Sequence, residues 1–516
     1  MNSLTTEETR GAPELSVTVL KTTNTASLPI DKNSLKILSG CLVFAGFVCP
    51  ASCAGLTSEE IESVARLSTI LLPHLVVEWV GLISLSIYLC TYDQDSKCAG
   101  EVSLKGNLSV GLFPKLWALD SCRQLLINKE AFFDDAGSAG SPMVVYDVQW
   151  GSVFRCYNST ATAAVTEEVL SSAPKTVLTQ DDQKNWILAH RDELLDQLKR
   201  DEDPTADPPN PETPESKIRR LLQAKDRPRK QILNVLVFRK NPAQRGKPHA
   251  ITNAPRVFAA WGEFLLTLVL AAGFLSVGSF GSAALLLFAA ITRLLSSRVR
   301  LQRPPLYLYN REDLEDGCML VTAHENATTW NLYLGDRGLI DSLLNKPMVE
   351  VPEQSPLIIF WFKVVRVLQF LAVTFIAGQG GLDGICLLGL IVLATLVDKW
   401  RGSSRHARDW LRREGFSTSA ITCEFAGRTE MLGAVQLMSV ENVTTWMDGI
   451  LAPCARRDIW LKKIGVPGKD LRCNPLPPFD SLSPHNQTWV DATAVQTFAG
   501  ATLIKEELER VSRLGK

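Results

Sequence analysis

The sequence predicts an α-helical polytopic membrane protein, with about six transmembrane helices in three hairpins and small cytosolic α+β insertions after each. Three observations predict it. Apolar blocks at 37–56, 67–91, 257–295 and 357–397 are long enough for one or two spans each. The last two blocks carry a Gly/Ser-rich break near the middle, where a hairpin turns. Basic clusters flank these blocks on one side only of the resulting layout. The totals alone (516 residues, 21% charged, 46% hydrophobic, net charge −1) would suit a soluble protein, but both the apolar residues and the charges are bunched.

Residues 1–33 are rich in Thr, Ser and Asn and read as a disordered tail. The first hairpin is 34–91. Its opening run, "ILSGCLVFAGFVCPASCAGL", is uncharged and has about the length that crosses a hydrocarbon core at 1.5 Å per residue. The polar lead before it is too long for a secretory signal. Thr57 and Glu60 form a capping box that starts the helix leading into the second span, 67–91, which His74 and Glu78 interrupt.

Residues 92–200 read as a cytosolic mixed α/β domain, with "MVVYDVQW" and "SVFRCYN" as strands. The Pro- and acid-rich stretch 201–216 is a linker. The segment 217–256 is strongly basic and runs up to the next apolar block. Lys217, Arg219, Arg220, Arg227, Arg229 and Lys230 are its candidate lipid-facing cations. Anionic lipids of the cytosolic leaflet are the partner they imply, although a topology signal needs the same charge. No nucleic-acid reader motif accompanies them, so nucleic acid is not expected as a partner.

The second hairpin is 257–297, turning at "VGSFGS"; the span 264–292 holds no charge. Residues 298–354 read as a strand–strand–helix module, with Glu325 and Asn326 at the turn. The third hairpin, 355–398, turns at "GQGGLDG", and 399–516 reads as a cytosolic C-terminal α+β region. The basic residues Arg293 to Arg303 and Lys399 to Arg413 then share one side, which places both termini in the cytosol. The expected location is a membrane, plasma or internal.

The chemistry-bearing motifs are few. There is no Walker loop, G-x-G-x-x-G, H-E-x-x-H or G-x-S-x-G. "HRD" at His190 to Asp192 lacks the downstream Asn of a kinase loop, Gln197 standing there instead. Twelve cysteines are scattered without zinc spacing and read as free thiols in reducing surroundings. No catalytic residue, cofactor or metal is expected.

The candidate intramembrane polar cluster is His74, Glu78, Glu263, Lys363 and Arg366. An ionised group at mid-bilayer needs a partner, so Glu78 is expected to pair with Lys363 or Arg366 as an interhelical clamp, or else to serve a proton or ion path with His74. A candidate cytosolic motif is Asp336, Arg337 and Asp341, read as an ion pair at a helix start. Two hexapeptides, "ENATTW" and "ENVTTW", match at all but one position; the first Trp is expected in a strand and the second in a helix.

Hairpins followed by "GDRGLIDSLLNKPM" and "WMDGILAPCARRDIWL" resemble uncharacterised multi-pass integral membrane proteins of filamentous fungi. That resemblance implies a membrane protein and carries no activity. The expected function is therefore a non-enzymatic scaffold or a partner- or lipid-binding membrane protein, its protein partners unspecified by sequence. The alternative is a small-solute or proton-linked transporter or channel using His74 and Glu78.

Overall fold

A computed structural model describes residues 74–514, apart from 90–93, 200–213, 224–228, 241–252, 310–315, 468–470, 472–475 and a few one- or two-residue breaks. The chain divides into two units, Met1–Glu62 and Ser63–Lys516, and everything below belongs to the second. The tail 1–33, the first apolar run 37–56 and the capping box at Thr57 lie outside the described residues.

Seven strands form one mixed sheet: β1 (Val144–Asp147), β2 (Val153–Arg155), β3 (Lys175–Leu178), β4 (Gln231–Lys240), β5 (Asp316–Thr322), β6 (Thr329–Asp336) and β7 (Phe416–Phe425). Their order is β2-β1-β5-β6-β4-β7-β3. Strands β4 and β6 run parallel, as do β3 and β7; the other neighbours are antiparallel. β4 reads "QILNVLVFRK" because it lies near the middle with both faces covered, where alternation gives way to a continuous apolar run.

The side-chain period of two sends alternate residues to two separate cores. On one face Leu236, Phe238, Met319, Val321 and Tyr333 pack with the helices α2 (Gln94–Lys105), α3 (Leu116–Asn128), α4 (Glu130–Gly140) and α5 (Ser159–Ser172). On the other, Leu233, Val235, Leu320, Trp330 and Cys423 pack with α6 (Gln180–Ala189), α7 (Arg191–Lys199) and α8 (Pro214–Gln223). Three further helices complete this second layer: α15 (Arg428–Gln436), α16 (Ala455–Lys463) and α17 (Pro484–Leu514).

The remaining helices are apolar: α1 (His74–Leu89), α9 (Asn253–Ser276), α10 (Phe280–Ser296), α12 (Pro356–Gln379) and α13 (Leu382–Arg401). They pack on one another, and Ile358, Phe362 and Val365 of α12 continue into the first core. At one end of the bundle the Asp383 carboxylate accepts from Ser279 Oγ and from the backbone N–H groups of Gly281 (3.1 Å) and Ser282 (3.2 Å), satisfying the start of α10. At the other end, called here its foot, Arg293 donates to Thr267 Oγ1 (3.0 Å) and to the Gly111 carbonyl (3.0 Å). Two helices remain: α11 (Arg337–Leu344), which follows β6 directly, and α14 (Ser403–Glu414), which joins the first layer.

This architecture corrects the six-span expectation. Among the described residues only Pro356–Gly378 is long and apolar enough to cross a membrane; Trp79–Leu89, Phe264–Ser276 and Phe280–Ser296 are shorter. The insertions read as separate small modules are one sheet instead. β1 to β3 come from 92–200, β4 from 217–256, β5 and β6 from 298–354, and β7 from 399–516. The basic stretch read as juxtamembrane thus contains a central strand.

Candidate functional site

The cleft at the β1–α11 corner is built by three sequence-local devices. The first is the turn after β1. Asp147 Oδ1 accepts from the N–H groups of Gln149 (3.0 Å) and Trp150 (3.1 Å), and Gly151 supplies the positive φ (75°) that closes the turn. The second is the start of α11. Asp336 is its N-cap, and its Oδ1 accepts from Leu339 N–H at 2.9 Å. The third is the end of α11. The buried Asn158 amide donates to the carbonyls of Ser342 (3.1 Å) and Leu343 (3.2 Å), which the last turn leaves without helical partners, and to that of Lys346 (2.9 Å) just beyond it.

Arg337 links the first two devices. Its Nη2 donates to Asp147 Oδ2 at 3.0 Å, its Nη1 to Gln149 Oε1 at 2.8 Å, and its Nε lies 3.7 Å from Asp341 Oδ2. Gln149 Nε2 in turn donates to the Asp316 carbonyl at 2.6 Å. The guanidinium stands 5.6 Å from the Trp150 ring centre, and Lys346 Nζ lies 3.8 Å from Asp341. Asp147, Trp150, Arg337 and Asp341, with Ser152, Phe154, Met319 and Asn345, line an open cleft of about 470 Å³. The helix-start ion pair read from Asp336, Arg337 and Asp341 is present between Arg337 and Asp341, but the closer partner of Arg337 is Asp147. Sequence reasoning missed Asp147 and Gln149; the signal was "DVQWG", an Asp opening a Gly-closed turn. Replacing Asp336 by Ala removes the cap and is expected to lower stability by about 1 kcal/mol, read as a shifted midpoint with unchanged slope in denaturant unfolding.

The cleft is lined by two carboxylates and one guanidinium that bind one another, and it contains neither histidine nor cysteine. No nucleophile–base pair stands in it. Elsewhere, burial pushes the thiols of Cys156 up to about 11 and of Cys318 and Cys423 up to about 12, so they stay protonated and unreactive at neutral pH. Among the described residues no group of three or more His, Cys, Asp or Glu side chains is placed to hold a metal.

Of the expected intramembrane cluster, only Lys363 and Arg366 have described side chains. Arg366 pairs with Asp120 of α3 at 2.6 Å, which joins α12 to the sheet domain. Lys363 is exposed on α12. His74 and Glu78 lie on α1 and Glu263 on α9, but their side chains lie outside the described residues. The basic candidates fall elsewhere too. Lys217, Arg219 and Arg220 sit on α8, whose Ile218 and Leu221 pack into the second core, on the sheet face opposite the one that α12 joins. Arg229 donates to the Asn326 carbonyl (2.8 Å) and Lys230 pairs with Glu424 (2.7 Å), so both serve the end of the sheet; Arg227 lies outside the described residues.

A second surface comes from the apolar helices. Leu82, Ile83 and Ile87 of α1 are exposed, as are Leu265, Leu266 and Val269 of α9. So are Val367, Phe370, Leu371 and Phe375 of α12, and Val392, Leu393 and Leu396 of α13. Side chains of this size are the ones water-soluble domains cover, and a patch spread over adjacent helices marks a surface for lipid or protein. At the end of α1, Trp117 is 43% exposed and its indole N–H donates to the Leu89 carbonyl (2.7 Å).

The chain matches no protein-family model, no curated protein and no solved structure.

Proposed function

We propose that this is a non-enzymatic, membrane-associated protein, in which the apolar helices hold a water-facing α/β domain at a bilayer and that domain binds partners. The observation that carries the reading is the exposure of large apolar side chains on α1, α9, α12 and α13, with Val269 at 68% and Leu396 at 59%. Leaving that area in water is unfavourable by about 25 cal/mol per Å², and a hydrocarbon phase removes the penalty. The seven free thiols among the described residues suit a reducing compartment, so the sheet domain faces the cytosol. The Arg337 cleft is then a recognition surface, its charges fixed by one another and its exposed Trp150 available for contact.

Flotation of the full chain with phosphatidylcholine vesicles tests this. The wild-type chain is expected to float with the vesicles and to resist carbonate extraction. A variant with Phe370, Leu371 and Phe375 each changed to Ser is expected to remain largely in the aqueous fraction, with unchanged circular dichroism. A wild-type chain that is monodisperse without detergent and ignores vesicles would overturn the reading.

A further inference from the structure

The cations that stand beside the apolar helices are not the ones in the basic run 217–230. At the foot of the bundle α10 ends at Ser296, and the chain turns through Arg298 and Arg300 before it bridges to the segment leading into α12. Arg300 N–H donates to Gln354 Oε1 (3.3 Å), and Gln354 Nε2 donates back to the Arg300 carbonyl (2.8 Å). Gln354 stands two residues before Pro356, so Arg300 is fixed at the start of α12. Lys363 lies two turns further along that helix. Arg298, Arg300 and Lys363 are all exposed, and Leu357, 67% exposed, opens the same helix. The neighbouring acids along this stretch are the exposed Glu353 and the half-buried Glu350, held in the bridge to Gln302; Arg366, three residues beyond Lys363, is taken by Asp120, which also holds Arg123. The patch is therefore net positive.

We propose that Arg298, Arg300 and Lys363 form a binding site for the headgroups of anionic phospholipids, resting on the membrane reading above. Apolar side chains beside the cations enter the acyl region while the charges stay at the phosphates, the arrangement in which a basic residue contributes most. A free phosphate would gain from the three cations alone; a lipid also gains from the exposed Leu357 and Val367 of α12, the latter one turn from Lys363. Each basic residue near an anionic surface is worth about a fivefold factor in partitioning, so three give roughly a hundredfold at low salt.

The test compares binding of the full chain to vesicles of phosphatidylcholine alone and of phosphatidylcholine with 30% phosphatidylserine (roughly the anionic fraction that gives a cytosolic-leaflet potential). Wild-type is expected to prefer the anionic vesicles by at least tenfold, with the preference fading at high salt as screening shortens the field. The triple variant Arg298→Gln, Arg300→Gln, Lys363→Gln is expected to lose the preference yet keep binding to phosphatidylcholine. The triple variant Lys217→Gln, Arg219→Gln, Arg220→Gln on the opposite face of the sheet is expected to keep it. Equal wild-type binding to both vesicles, a preference that survives the first variant, one lost in the second, or competition by millimolar inorganic phosphate would overturn the site. Binding to neither vesicle would instead overturn the membrane reading itself.

Discussion

Gly335→Ala is expected to lower the stability of the sheet domain by about 3–5 kcal/mol, among the largest effects available to a single methyl group. Gly335 holds φ at 118°, a conformation that L side chains rarely adopt. A Cβ at this position would lie 2.0 Å from the Phe238 carbonyl oxygen, its partner in the parallel β4–β6 register. The opposing atom is backbone in a central strand, so no rotamer change relieves the overlap and the ladder itself must shift. The next two residues are Asp336 and Arg337, so the same shift displaces the cap of α11 and draws Arg337 away from Asp147. Thermal unfolding of the full chain in mild detergent is expected to show a fall in midpoint of several degrees. A midpoint unchanged within a degree would mean that β4 and β6 do not pair with Phe238 opposite Gly335.

Local patterns in the sequence locate most helices but not the partners of strands. The pair α9/α10 breaks at 277–279, and α12 ends at Gln379 and α13 begins at Leu382, all within the Gly/Ser-rich stretches, because a turn is a local event that composition reports. The β5–β6 hairpin is legible for the same reason. Its Glu325–Asn326 turn closes with Ala327 N–H on the His324 carbonyl at 3.0 Å. By contrast β4 is a ten-residue apolar strand beside a basic run, and its partners β6 and β7 lie about 100 and 190 residues further along. No periodicity encodes that pairing, so the strand disappears into what reads as a juxtamembrane segment.

The basic residues mislead in a related way. Arg303 donates to the carbonyls of Ser103 (2.6 Å), Met348 (2.6 Å) and Leu104 (3.1 Å), and Arg413 to Leu104 (2.6 Å), so both cap the end of α2. Arg408 bonds Glu168. A topology signal and a helix-capping arginine look alike until the carbonyls they meet are known. Within the cleft, Asp336, Arg337 and Asp341 were legible because they share one helix start. Asp147 and Gln149 were not, because they arrive from a turn almost 190 residues earlier.

Trp330→Ala and Trp446→Ala are each expected to cost about 3–5 kcal/mol, and the double variant is expected to cost less than their sum by about 1–3 kcal/mol. These are the tryptophans of the two near-identical hexapeptides, and the backbone treats them differently. The first sits in β6, while the second lies in a 3₁₀ turn at Thr445–Met447. Both rings are nonetheless fully buried, and both stand against Tyr146 of β1, at 6.3 and 6.4 Å between centres. Each indole N–H has a glutamine: Trp330 donates to Gln231 Oε1 (3.1 Å) and Trp446 to Gln436 Oε1 (2.8 Å). Removing either ring opens a cavity beside Tyr146 and leaves a glutamine oxygen without its donor, so the first loss loosens the contact that the second would otherwise remove. The checking measurement is a double-mutant cycle by denaturant unfolding, with Trp→Phe variants at both positions separating ring loss from hydrogen-bond loss. Additivity within about 0.5 kcal/mol would mean that the two tryptophans pack independently and that Tyr146 is not the point where the repeated hexapeptides meet.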